Sequence, residues 1–107
     1  MKKRNIKTWE SKKEFKEGVY LYADSIKVKV KQITLRPMTR KWASCSTNGN
    51  FSFNTELLGI DRSLGEYVIL HELLHYHVPN HGKLWKSLMM VHMPDHEKRA
   101  DKLKSVK

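Results

Sequence analysis

Only one cysteine, Cys45, occurs in the 107 residues, so no disulfide can form within the chain. The fold needs no oxidising compartment. No apolar run approaches the length that crosses a bilayer, which excludes a transmembrane helix. The first residues, "MKKRNIKTWESKKEF", carry the charges of a secretory leader but lack the apolar stretch that follows them in one. A cytoplasmic protein with no membrane partner is the expectation. There are no repeats and no low-complexity linker.

Acidic residues are also scarce: 11 Asp plus Glu against 21 Lys plus Arg, for a net charge of +10. Such an excess attracts nucleic acid or acidic surfaces. The lysines are spread along the chain rather than packed into one run, which reads as a solvated coat. The length points to a single domain spanning residues 1–107. A chain of this size buries roughly 65% of its unfolded surface, enough for one modest core.

Residues from about Thr8 to about Val19 place Trp9, Phe15 and Val19 at rough helical spacing, with Gly18 weakening the end. Next, Ile26, Val28 and Val30 alternate with lysines, a strand pattern whose phase shifts near Lys31–Gln32 before Ile33 and Leu35. Two strands then flank Asn48–Gly49, a hairpin dipeptide, with Trp42, Ser44 and Ser46 on one face of the first and Phe51 and Phe53 together on the second.

A helix follows. Ser63 and Glu66 are spaced as a capping box, and Asp61 offers a second cap. Leu64, Tyr67, Val68, Leu70 and Leu74 give its apolar stripe, and Pro79–Asn80 stops it. A second helix repeats Leu84, Leu88 and Val91 with Trp85 beside them. Pro94–Asp95 opens a third, charged segment, 94–107, with few apolar anchors, a poor core element able to dock or detach. The class is α+β: a small antiparallel or mixed twisted sheet against a central helix, with an N-terminal helix and C-terminal helices.

The chemistry sits in "VILHELLHYHVPNHGKLWK". Residues four apart on a helix lie one turn apart on one side, so His71 and His75 can reach one ion. Imidazole nitrogens suit zinc, and a catalytic zinc takes three protein ligands and a water. His81, beyond the "VPN" turn, is the plausible third ligand. Glu72 projects beside the pair, placed to take a proton from the attacking water. This is the H-E-x-x-H pattern, and its requirement is a helix, which the cap and stripe predict independently. His92, His96, Tyr67 and Tyr76 are candidates to stabilise an oxyanion, or are solvated or packing residues. His77 reads as exposed or structural. Cys45 could serve as a nucleophile or as a cap on the zinc, though its neighbours suggest a packed strand position.

"KWASCSTNGNFSFNTELL" followed by "YVILHELLHYHVPNHGKLWKSL" resembles the small zinc metallopeptidases called minigluzincins, and is similar to YgjP-like metallopeptidase domains. The likeness runs from about Lys41 to Val91. It implies a gluzincin-like fold and a peptidase acting on peptide or protein substrates. It implies one catalytic zinc on His71, His75 and His81, with Glu72 as general base and acid. Glu97 is the only later glutamate that could replace His81 as third ligand. The resemblance also implies a substrate-binding edge strand, assigned here to Asn50, Phe51, Ser52 and Phe53. It further implies latency through the C-terminal segment, in a monomer or across a homodimer. The competing readings are a basic nucleic-acid-associated protein with a structural or accessory metal site, and an inactive scaffold. No recognisable nucleic-acid module or zinc-ribbon cysteine supports the former, and no ligand or Glu72 is lost to support the latter.

Overall fold

The computed structural model describes residues 7–78 and 82–106. Among them the chain runs α1 (Lys12–Ser25), β1 (Gln32–Arg36), β2 (Ala43–Cys45), β3 (Asn50–Asn54), a 3-10 turn (Thr55–Gly59), α2 (Arg62–His77), α3 (Lys83–His92) and α4 (His96–Lys104). The class is α+β, as the sequence predicts.

Helix α1 begins at Ser11, whose side chain accepts from the Glu14 N–H at 3.1 Å. It starts later than expected and continues past Gly18, which is buried rather than a breaker. The reason is a close approach: a Cβ at Gly18 would meet the Trp9 ring at 2.9 Å. The same indole lies against Gly65 on α2. Two glycines on two helices thus form the slot that buries Trp9, with Phe15 edge-on at 4.9 Å and the Arg62 guanidinium over the ring at 4.2 Å.

The strand expected over Ile26 to Val30 does not form. The chain ends α1 with Lys27 in the left-handed region (φ 60°). Val28 N–H donates to Ala23 O at 2.8 Å and Lys27 N–H to Asp24 O at 3.2 Å. These are the two bonds of a Schellman motif, and they commit Ile26 to Val28 to closing a helix. The strand starts only at Gln32, at the phase shift, and buries Ile33 and Leu35.

The hairpin about Asn48–Gly49 is present, with Gly49 at φ 88°. Strands β2 and β3 pair antiparallel, but β1 pairs β3 in parallel, so the sheet is mixed, in the order β1-β3-β2. Strand β3 is therefore central. Its Phe51 and Phe53 are stacked and buried beneath α1 and α2, with Phe15 edge-on to Phe53 and Tyr76 edge-on to Phe51.

Helix α2 is the spine of the molecule. Asp61, not Ser63, is its cap: Asp61 Oδ1 accepts from the Ser63 N–H and hydroxyl, both at 3.0 Å. Glu66 is left to pair with Arg62 and Arg99. Leu64, Val68, Ile69, Leu70, Leu73 and Leu74 are buried, while Tyr67 is half-exposed. At the other end Val78 is already extended (φ −131°, ψ 89°), as the residue before a proline should be. The Pro79–Asn80 turn itself lies outside the described residues.

Helix α3 presents a different face from the one expected. Trp85 and Met89 are buried, with Met93 just beyond the helix, whereas Leu84 and Val91 lie exposed. The indole of Trp85 packs against the His71 ring at 5.2 Å. Burying that larger ring on α2 turns the Leu84 and Val91 side of this short helix outward. Helix α4 returns along α2 and seats Leu103 and His96.

Candidate active site

Glu72 and both described histidines of the motif project from the half-exposed side of α2. The His71 and His75 rings are adjacent, with centroids 6.5 Å apart and planes inclined by 48°. Two imidazoles on one tetrahedral zinc have ring centres roughly 5 Å apart, so seating an ion would draw these rings about 1.5 Å together. The donor set, imidazoles one helical turn apart, fits such an ion. His81 lies outside the described residues, and among the described ones no group of three metal-ligating side chains converges. Trp85 and Tyr67 contact the His71 ring from two neighbouring positions, at 5.2 and 5.6 Å.

The wall facing α2 is strand β2 and the segment before it. One cavity, of about 370 Å³, is lined by Lys41, Trp42 and Ala43 on this wall, by Tyr67, Val68, His71 and Glu72 on α2, and by Ala100, Leu103 and Lys104 on α4. A second hollow continues along the same strand, between Cys45, Ser46 and Thr47 and the His75–His77 end of α2. The motif thus faces a cleft bounded by β2 and α2, and α4 closes one end.

Asn54, a residue the sequence did not single out, shapes this wall. It is fully buried at the end of β3. Its amide donates to Met38 O at 2.9 Å and Lys41 O at 3.1 Å, and its Oδ1 accepts from Glu56 N–H at 3.0 Å. These bonds fix the loop that delivers Lys41 and Trp42 to the cavity. The only signal in sequence was an Asn followed by a turn, which is too common to be informative.

Cys45 faces the same cleft. It is paired opposite Phe51, and residues directly opposite in a ladder share a face. Its thiol is pushed up to about 11 by burial, reinforced by the Glu72 charge and by hydrogen bonding to Glu72. A thiol held protonated at neutral pH is a poor nucleophile. Burial likewise raises the Tyr67 hydroxyl.

The strand assignment for substrate needs correction. Asn50, Phe51, Ser52 and Phe53 lie on the central strand, hydrogen-bonded to β1 on one side and β2 on the other. Their backbone groups have no room for a further strand, and the two phenylalanines are core. The strand beside the cleft is β2, whose outer edge pairs with no strand among the described residues.

Of the other candidates, His92, His96 and Glu97 lie apart from the motif. His92 and His96 line neither hollow, and His96 is buried at the start of α4. Tyr76 reaches the second hollow while packing on Phe51. His77 is exposed at its rim. Glu97 lies in a separate depression with Pro94, Asp95 and Lys98.

Comparison with known proteins places this geometry. The family described as "YgjP-like, metallopeptidase domain" matches residues 1–106. No curated protein matches the sequence. Among solved structures, the metallopeptidase zymogen of Methanocaldococcus jannaschii jannalysin is similar at 27% identity and a TM-score of 0.73, over 86% of this chain and 93% of that one. The metallopeptidase zymogen of Pyrococcus abyssi abylysin shares the fold, with a TM-score of 0.72 at 16% identity, over 85% of this chain and 92% of that one.

Proposed function

The chain belongs to the YgjP-like metallopeptidase family, and from that premise we propose that it is a zinc-dependent endopeptidase with Glu72 as its general base and acid. The observation that carries this reading is the place of His71 and Glu72 together in a cavity under strand β2. His71, His75 and His81 would hold the ion. When bound, zinc supplies a Lewis acid for the scissile carbonyl and a more acidic water.

The rest is work for the chain's own side chains. An extended peptide adds to the open edge of β2 through main-chain hydrogen bonds, which sets its carbonyl above α2. Glu72 takes a proton from the attacking water and returns it to the leaving amine. Tyr67, Val68 and Trp42 form an apolar wall that excludes bulk water and receives a substrate side chain.

Helix α4 occupies one end of this cleft, with Ala100, Leu103 and Lys104 in the cavity lining. The jannalysin structure is that of a zymogen. This chain would likewise be latent, with its own α4 as the obstruction, acting within one chain.

The test is metal content by mass spectrometry on the wild type and on Glu72→Ala, each assayed against casein, with and without residues 94–107. One zinc per chain in both, with cleavage in the wild type alone, is the expected result. If cleavage appears only after truncation, latency holds as well. Absence of zinc from both, or equal cleavage by both, would sink the reading.

A further inference from the structure

We infer that the loop between β1 and β2 is a subsite for acidic side chains: Arg36, Arg40 and Lys41 bind carboxylates of the peptide in the cleft, so that the enzyme selects acidic substrates. The inference deepens the peptidase reading above and rests on it.

Three observations converge on it, and the first is place. The segment "RPMTRK" runs from the end of β1 at Arg36 toward the start of β2 at Ala43. It lines a depression of about 290 Å³. Lys41 lines both this depression and the cavity that contains His71 and Glu72. The two hollows meet at that residue, so a peptide passing the motif along β2 runs on toward the loop.

The second is charge. Arg36, Arg40 and Lys41 are exposed and take part in none of the ion pairs among the described residues. Other cations are committed: Arg62 to Glu14, Arg99 to Glu66 and Asp95, Lys102 to Asp61. Glu72 is the only carboxylate that lines either hollow. Like charges so close repel one another, and a ligand carboxylate relieves that repulsion. The hollow at the other end of β2 is lined by no lysine or arginine, which confines the preference to one end of the cleft.

The third is rigidity. The buried Asn54 amide donates to Met38 O and Lys41 O, so the loop backbone is fixed before a ligand arrives and little ordering remains for binding to offset. The planar forks of the two arginines match carboxylates. A nucleic acid would draw on the whole net charge of +10. Lys41 instead stands at the motif's own cavity, which favours a peptide.

The test is binding, measured by fluorescence anisotropy on the full-length protein as purified, carrying Glu72→Gln so that turnover does not interfere. The probes are a short peptide rich in Asp and Glu and its counterpart with Asn and Gln in their place. The acidic peptide should bind about 5- to 30-fold more tightly at low ionic strength, as three exposed ion pairs together give, and the advantage should shrink as salt is added. Arg40→Gln with Lys41→Gln should bring the ratio to within about twofold of unity, and Arg40→Glu with Lys41→Glu should make the acidic peptide the weaker ligand. Lys12→Gln with Lys13→Gln removes the same charge from α1, which lines neither hollow, and should leave the ratio near its starting value.

Equal binding of the two peptides overturns the proposal. So does an equal effect of the α1 pair, which would assign the preference to net charge alone. Loop variants that abolish binding of a single-stranded RNA while the peptide ratio stays put would assign the cations to nucleic acid, and overturn it too. The same ratio should appear in kcat/KM on the zinc-loaded protein; equal kcat/KM for both peptides overturns the selection of substrate while the peptidase reading stands. If the protein cleaves nothing with or without residues 94–107, the peptidase reading fails, and with it the selection of substrate, while the binding ratio still decides whether the loop holds acidic peptide.

Discussion

At the scale of single residues, the site divides into groups that do chemistry and groups that hold them. On the proposed peptidase mechanism, Glu72 belongs to the first. Losing a positioned general base costs on the order of 10² to 10⁴ in rate. Glu72→Ala should lower kcat by that factor and keep its zinc, whereas His71→Ala and His75→Ala should lose the metal. Paired metal analysis and peptide kinetics separate the two outcomes. Asn54 belongs to the second group. Its three hydrogen bonds are all inside the protein, so Asn54→Ala strands two carbonyls and one N–H. The expected cost is about 1–3 kcal/mol, measured by urea unfolding. Activity should fall further than stability alone explains, because Lys41 and Trp42 lose their support. Glu72 stands out in sequence because a five-residue spacing marks it as a candidate. Asn54 does not, because its partners lie 13 and 16 residues earlier in the chain.

At the scale of elements, helix ends decide most of what differs from expectation. The alternation of Ile26, Val28 and Val30 is a genuine strand pattern, yet the Schellman closure of α1 takes those residues. A lysine in the left-handed region costs roughly 1 kcal/mol relative to glycine. Lys27→Gly should therefore raise the Tm by a few degrees, and a fall would show that Lys27 makes an unrecognised favourable contact. At α2, burial raises the Asp61 carboxyl, but the Ser63 N–H and hydroxyl and the Lys102 ammonium together hold it below its ordinary value. A depressed carboxylate stabilises the fold above its unfolded pKa. That contribution is lost as the pH falls through the still lower folded value. Stability should accordingly decline below about pH 4, and Asp61→Asn should flatten that limb in Tm-versus-pH scans. The same protonation frees Lys102, loosening the α4 end that closes the cleft.

At the scale of the whole molecule, the important relation is that of α4 to the rest. Few of its residues are apolar, yet Arg99 reaches three places at once: Asp95 in its own turn at 3.1 Å, Glu66 at 3.2 Å and the Ser63 carbonyl at 3.0 Å on α2. With Leu103 buried beside the motif, this makes a helix held by a few polar ties over an apolar seat. Arg99→Ala should weaken the seat without removing the helix. Cleavage of casein should rise relative to the full-length wild type, with a small fall in Tm. Unchanged cleavage in both Arg99→Ala and the truncation at Pro94 would show that α4 is structural. No helix among the described residues is long and apolar enough to cross a membrane.

The motif, its helix, the Asn48–Gly49 hairpin and the α+β class all follow from local rules of spacing, capping and turn geometry, and a sequence states local rules directly. The strand order does not. Residues 50–54 read equally well as an edge or a centre, and only the parallel return of β1 onto β3 made β3 central and put β2 at the edge of the sheet among the described residues, beside the cleft. The buried face of α3 went to Trp85 and Met89 because a tertiary neighbour, His71, was there to receive the larger ring. Trp9 could be recognised as core from its size, but not that Gly18 and Gly65, 47 positions apart in the chain, would jointly make room for it. Sequence set which residues are able to do chemistry. Packing between distant segments decided which of them face one another.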